Sequence, residues 1–299
     1  MGVLKKIEQY LSLVKFSHTV FALPFALMGF TLGILEVNHG FSWVWFSDNS
    51  LLFLKVLLCM VFARSAAMAF NRYLDRRYDA LNPRTAQREV PAGIISPTNA
   101  LMFTIVNSVL FITTTLFIND TVFYLSVIAL FVILFYSYTK RFTALCHLVL
   151  GVGLALSPIG AYLAVTGYFK LLPVLLSLIV FTWVSGFDII YALQDEEFDR
   201  SHRLHSIPAA LGKRGALRVS NLLHFLSFCM VVSVGIVGQF NWIFWLGASI
   251  FSSLLLYQHL LVKPNDLSKV NMAFANTNGI ASILFALFAI TSFIIQTPL

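Results

Sequence analysis

The feature that most constrains this chain is a succession of apolar runs of about 18 to 24 residues, the length a helix needs to cross a bilayer. A soluble domain of 299 residues can bury a good core with far less than 59% hydrophobic residues, and only 11% of this chain is charged. The sequence therefore reads as an all-α membrane protein, with nine transmembrane helices in one bundle. The 29 phenylalanines predict an interior lined with aromatic rings.

The spans are expected near Phe16–Val37, Leu51–Phe70, Ala100–Ile118, Thr121–Tyr138, Leu145–Tyr168, Leu171–Leu193, Ala216–Gly238, Trp242–Val262 and Met272–Ile295, to within about two to four residues. The connections between them alternate in charge. One set carries Lys5, Lys6 and Lys15, then Arg72 through Arg88, Lys140 and Arg141, Arg200 through Arg218, and Lys263 and Lys269. The opposite set carries almost no basic residue, with Lys170 the main exception. By the positive-inside rule the N-terminus is cytoplasmic and the C-terminus outside, as in a multi-pass protein of the inner (plasma) membrane. The same rule accounts for the formal charge of +7, so no nucleic-acid partner is implied. Ahead of the first span, Leu4, Ile7, Leu11 and Val14 recur at helical spacing, which makes residues 1–15 an interfacial amphipathic helix on the lipid bilayer. No small-residue cleavage site follows it. Residues 1–299 read as a single polytopic domain whose long cytoplasmic motif loops cover about 71–99 and 194–215. Cys59, Cys146 and Cys229 lack metal-ligand spacing and read as isolated thiols.

Two of the cytoplasmic span ends are crowded with acid. "NRYLDRRYD" runs from Asn71 to Asp79 and "DIIYALQDEEFD" from Asp188 to Asp199. Asn71, Asp75 and Asp79 are four residues apart and share one helical face. Asp188, Tyr191, Asp195 and Asp199 do the same if the helix continues. Facing strips would make a cavity with four or more carboxylates, which must raise their own pKa values or recruit cations. Mg²⁺ suits oxygen ligands and usually shares its shell with phosphate. With Arg64, Arg72, Arg84, Arg88, Lys140 and Arg141 available to meet an anion, the combination suggests a diphosphate site at the mouth of an apolar bundle. The natural ligand with such a head and an apolar tail is a prenyl diphosphate.

N-x-x-x-D-x-x-x-D after the second span and D-x-x-x-D after the sixth resemble the UbiA superfamily of intramembrane prenyltransferases. The resemblance continues in "ARSAAMAFN", "RTAQREVPAG", "YSYTKR" and "YALQDEEFD" and covers nearly the whole chain in order. It implies metal ligation by Asn71, Asp75, Asp79, Asp195 and Asp199, with Arg64, Arg88, Tyr136 and Lys140 binding the donor or acceptor. Asp188 and Tyr191 are expected to position the acceptor. Two departures stand out: Arg72 occupies a position where many members have Asp, and Phe198 a position where many quinone-pathway members carry an extra Asp.

The resemblance implies Mg²⁺-dependent transfer of a polyprenyl group to a small aromatic acid, a 4-hydroxybenzoate or a dihydroxynaphthoate, in ubiquinone or menaquinone biosynthesis. Lewis-acid and electrostatic stabilisation would fall on the departing diphosphate, and the dry bundle would protect the allylic cation from water. Rival readings remain at this stage: the same chemistry on a non-quinone acceptor, a transporter using intramembrane acids, or a lipid-binding scaffold. Arg64 competes with a purely structural role as partner of a carboxylate such as Asp188. Glu196 and Glu197 read as solvated, Arg76, Arg77, Arg200 and Arg203 as topology charges, and His18, His202 and His205 as non-catalytic. Pro24, Pro158 and Pro173 are expected to begin or kink spans, and Gly151, Gly153 and Gly160 to permit close helix packing.

Overall fold

The computed structural model describes residues 3–14 and 21–295. Lys15, His18 and the start of the expected first span, Phe16 to Val20, lie outside the described residues. Among the described residues the chain is helical throughout, with a single isolated bridge between Lys263 and Asp266 and no strand. The helices are α1 (Val3–Leu13), α2 (Leu23–Asn38), α3 (Trp43–Asp48), α4 (Ser50–Leu81), α5 (Pro97–Leu116), α6 (Asp120–Thr139), α7 (Cys146–Thr166), α8 (Leu171–Ala192), α9 (Glu196–Ser201), α10 (Ile207–Val237), α11 (Trp242–Leu261) and α12 (Asn278–Ile295). Eight helical stretches are long and apolar enough to cross a membrane, and α2 is apolar but has 16 residues. The described residues divide into two compact units, one from 3–14 and 55–138, the other from 21–54 and 139–295.

In the first unit, α4 runs unbroken for 32 residues, eleven past the expected end of the second span at Phe70. No Gly or Pro interrupts Ser50–Leu81, so nothing local stops the helix before Asn82-Pro83, where the proline disfavours helical geometry at the preceding residue. The motif from Asn71 to Asp79 is thus helical. α5 starts where Ser96 Oγ accepts from Asn99 N–H and Pro97 opens the first turn. α1 docks on this unit through Tyr10 and Leu13. Leu13 is fully buried with Ala69, Val90, Ile95 and Ala100, and Tyr10 packs 4.8 Å from Phe103 between ring centroids. Ile7 and Leu11 of the expected amphipathic stripe stay exposed, while Val14, assigned to the same stripe, is buried.

In the second unit α8 is the central element. Phe25, Trp183, Phe251 and Phe285, from α2, α8, α11 and α12, pack with ring centroids 5.0 to 6.4 Å apart, the aromatic interior the phenylalanine content predicted. Trp183 Nε1 and Gln258 Nε2 both donate to Asn278 Oδ1, at 2.8 and 2.7 Å, which satisfies polar groups that burial would otherwise penalise. Asn278 follows a π-helical turn at Met272–Thr277.

Gly29 of α2 lies against the backbone carbonyl of Pro158, and Gly151 of α7 against Phe181 O and Ser185 Oγ, so neither position has room for a Cβ. Gly160 was also expected at a tight approach, but the space beside it is open, so it does not serve close packing. Pro24 and Pro173 sit in the first turns of α2 and α8, and Pro158 lies inside α7.

Candidate active site

Each unit carries one acid motif, and in each the last aspartate of the motif is buried against a basic side chain. In the first unit Asn71 Nδ2 donates to Asp75 Oδ2 at 2.9 Å, the i, i+4 contact expected of a helical strip. One turn on, Asp79 is 6% exposed and its Oδ1 accepts from Arg88 at 2.8 Å. Asp79 Oδ2 is buried without a hydrogen-bond partner. The segment after α4 is folded back to deliver Arg88: Thr85 Oγ1 donates to Asp79 O at 3.0 Å, and Arg84 N–H to Asn82 Oδ1 at 3.0 Å.

Arg64, on the same helix, is close enough to Arg72 and Tyr136 to interact electrostatically, and Arg72 in turn feels Asp79, Arg88 and Glu89. The first unit therefore brings together Arg64, Asn71, Asp75, Asp79, Arg88 and Tyr136. Arg72 is buried rather than turned to water, and its guanidinium donates to Asn71 Oδ1 at 3.3 Å. A cation thus helps to hold a candidate ligand where a carboxylate would have been a ligand itself. Arg76 points away from the strip, donating to Tyr73 O at 2.6 Å and lying 4.5 Å over the Tyr73 ring.

In the second unit the helix changes pitch within its motif. α8 ends at Ala192, a 3₁₀ turn covers Leu193–Asp195, and α9 begins at Glu196. The uninterrupted face expected from Asp188 to Asp199 is therefore broken, because a tighter turn rotates the residues beyond it. Asp195 and Asp199 face a different environment from Asp188. Asp199 is fully buried, and Lys140 Nζ stands 2.7 Å from its Oδ1, while Oδ2 has no hydrogen-bond partner. Burial works against the charged form of Lys140, but attraction to Asp199 and, more weakly, Asp195 prevails and lifts its pKa above the ordinary lysine value. The chain around this pair is tied down by His205 N–H donating to Lys140 O at 2.7 Å and Leu204 N–H to Asp199 O at 2.8 Å.

Glu196, expected to be solvated, is buried at 7% exposure and paired with Arg200 at 2.9 Å, because the 3₁₀ turn redirects it inward. Arg200, assigned only a topology role, therefore has a structural partner. Glu197 is exposed as expected. Asp188 is held by His147, whose Nδ1 lies 2.7 Å from Asp188 Oδ2. Ile207 N lies 3.4 Å from the other ring nitrogen. Asp188 therefore has a histidine partner in its own unit. Tyr191 stacks on Phe274 with centroids 4.2 Å apart. Sequence reasoning passed over His147, although an ionisable residue at the start of an apolar run is itself a signal.

Each motif is oxygen-rich, which suits a hard divalent cation: in the first unit Asp79 keeps an oxygen without a hydrogen bond and Asn71 offers an amide oxygen, and in the second Asp199 keeps an oxygen likewise. Among the described residues no three His, Cys, Asp or Glu side chains stand close enough to hold a metal by themselves. Arg88 and Lys140 instead neutralise Asp79 and Asp199.

The UbiA prenyltransferase family model matches residues 22–293. A protein of Enterobacter sp. (strain 638) named 4-hydroxybenzoate octaprenyltransferase is 30% identical over 222 residues, covering 74% of this chain and 76% of that protein. One of the same name from Tolumonas auensis is 28% identical over 223 residues, covering 75% and 78%. Among solved structures, the apo form of a UbiA homologue from Aeropyrum pernix K1 aligns with a TM-score of 0.79 at 29% identity, over 92% of this chain and 97% of the other. A UbiA homologue from Archaeoglobus fulgidus, bound to DMAPP and Mg²⁺, shares the fold with a TM-score of 0.69 at 21% identity, over 96% and 100%. The chain thus belongs to the UbiA prenyltransferase family and is an integral membrane prenyltransferase.

Proposed function

We propose that this prenyltransferase transfers a polyprenyl group from its diphosphate to a small aromatic acid of the 4-hydroxybenzoate or dihydroxynaphthoate type, in quinone biosynthesis. The observation that carries the reading is the repeated pairing of a buried motif aspartate with a cation, Asp79 with Arg88 and Asp199 with Lys140. The names of the relatives support the acceptor class. The whole chain, residues 1–299, acts as one domain of nine spans, α2 included, with a cytoplasmic N-terminus, an outer C-terminus and both motifs on the cytoplasmic side of the inner membrane.

Asn71, Asp75, Asp79, Asp195 and Asp199 would hold Mg²⁺, the ion named with one UbiA homologue. When bound, the metal supplies Lewis-acid neutralisation of the diphosphate. Arg88 and Lys140 serve the anion as well as the aspartates: with metal held by the motif carboxylates, these cations would be available to the phosphate oxygens. Arg64 and Tyr136 add donors for the donor head or the acceptor carboxylate. Asp188, fixed by His147, and Tyr191, stacked on Phe274, orient the aromatic acceptor so that a ring carbon meets the allylic carbon. Apolar side chains keep water from the cation, and the proton leaves the substituted ring carbon as aromaticity returns.

The test is product analysis by mass spectrometry, using membranes given labelled prenyl diphosphate and a panel of aromatic acids. A prenylated aromatic acid formed only with divalent metal supports the reading. Turnover with a non-aromatic acceptor alone, or none with any acid, overturns it.

A further inference from the structure

The second unit contains a cavity of about 590 Å³ at the opposite end of α8 from its acid motif. Its lining includes Leu171, Leu172 and Pro173 in the first turn of α8, whereas Asp195 follows the last turn. A 22-residue helix separates the two by about 33 Å, so the cavity is no part of the prenyl-transfer machinery. Its size is that of a small-molecule or lipid-headgroup site.

The wall is divided. Leu32, Leu35, Val237, Phe240 and Phe293 supply an apolar side, and Glu36, His39, Tyr162, Lys170 and Gln239 a polar one. Two polar groups lack full satisfaction. Tyr162 is 1% exposed, and its hydroxyl meets the Thr166 side chain in a contact short of a full hydrogen bond. A buried hydroxyl in that state is destabilising unless something completes it. Glu36 receives both Lys170 Nζ and the Tyr168 hydroxyl on the same oxygen, Oε1, and among the described residues Oε2 has no partner. A partly buried carboxylate oxygen and a phenol thus await a donor bearing N–H groups, while Lys170 keeps ammonium hydrogens for an anion.

The rim points to the bilayer as the source. Tyr168 and Phe169, which follow α7, and Trp242, two residues after the lining residue Phe240, are 46%, 57% and 72% exposed, the aromatic placement of a membrane–water interface. We propose that this cavity binds the headgroup of an aminophospholipid. Its primary ammonium donates to Glu36 Oε2, its phosphate meets Lys170, its polar backbone completes the Tyr162 hydroxyl, and its upper acyl carbons lie against the leucines and phenylalanines. A quaternary ammonium has no N–H to give, and an anionic glycerol head has no cation for Glu36, so the site selects by hydrogen bonding as well as charge.

The test is competitive lipid retention by native mass spectrometry. The detergent-solubilised full chain is mixed with equal amounts of phosphatidylethanolamine, phosphatidylcholine and phosphatidylglycerol. Phosphatidylethanolamine is expected to be retained about tenfold over the other two, the worth of one charge-assisted hydrogen bond. Tyr162→Phe, which removes one oxygen, and Glu36→Gln should each collapse that preference, while Leu222→Ala on an exposed face should not. Equal retention of the three lipids, or a preference that survives both variants, overturns the proposal. Displacement of the lipid by millimolar free phosphoethanolamine would overturn the membrane source. None of these readouts involves prenyl transfer, so their outcome is independent of the function proposed above.

Discussion

Lys140 Nζ stands 2.7 Å from Oδ1 of the fully buried Asp199. A carboxylate with no access to water depends on that one cation, whose own side chain is about a third exposed. Lys140→Met is therefore expected to destabilise the protein, and adding Asp199→Asn to recover part of the loss. After discounting for solvent at Lys140, the coupling should be about 1–2 kcal/mol. Thermal unfolding of the two single variants and the double variant in detergent measures it. Simple additivity would show that the pair contributes nothing as a pair.

Turnover separates motif residues from bystanders. Asp75→Asn and Asp199→Asn should each lower turnover by at least about a hundredfold, the usual cost of one electrostatic contact to a developing charge. Arg76→Ala should leave it within about twofold, since Arg76 engages Tyr73 and not the strip. Equal losses in all three would remove any meaning from the site assignment.

Metal dependence gives a third measurement. Chelation should reduce product to background and added Mg²⁺ should restore it. Asp79→Asn should raise the Mg²⁺ concentration for half-maximal rate by about tenfold or more. Undiminished product in excess chelator would contradict the role given to the motif aspartates.

The acceptor side is separable from the donor side. Asp188→Asn and His147→Ala are expected to raise the KM for the aromatic acid while the KM for prenyl diphosphate stays within about twofold. Steady-state kinetics with each substrate varied in turn decides it. A rise confined to the diphosphate KM would move this dyad to the donor site.

The helical strip on α4 was legible because its cause is local: Ser50–Leu81 holds no helix breaker, so a period of four places Asn71, Asp75 and Asp79 in line. The second motif shares one face only if its helix continues, and "ALQDEEFD" also lacks Gly and Pro, so no local signal marks the change. The interruption there is tertiary in origin. Asp199 and Asp195 sit buried near Lys140, and the backbone gives way over Leu193–Asp195 to place them there. The burial of Glu196 results from that break and was invisible for the same reason. His147 left a sequence signal that went unused, whereas the role of Gly160 could not be told from that of Gly151 by composition. Lys170, the exception to the charge alternation, is paired with Glu36.

The 3₁₀ turn between α8 and α9 also bears on how such an enzyme can diversify. A continuous helix would chain the two aspartates of α9's neighbourhood to Asp188 in one rotational register, and any length change within the span would swing all three by about 100° per residue. With Leu193–Asp195 as a joint, the span can drift, exchange residues against His147 and Phe274, and alter what it selects, while the motif beyond keeps its grip on Lys140. Chimeras spliced at that joint should inherit acceptor preference from the span and metal requirement from the motif.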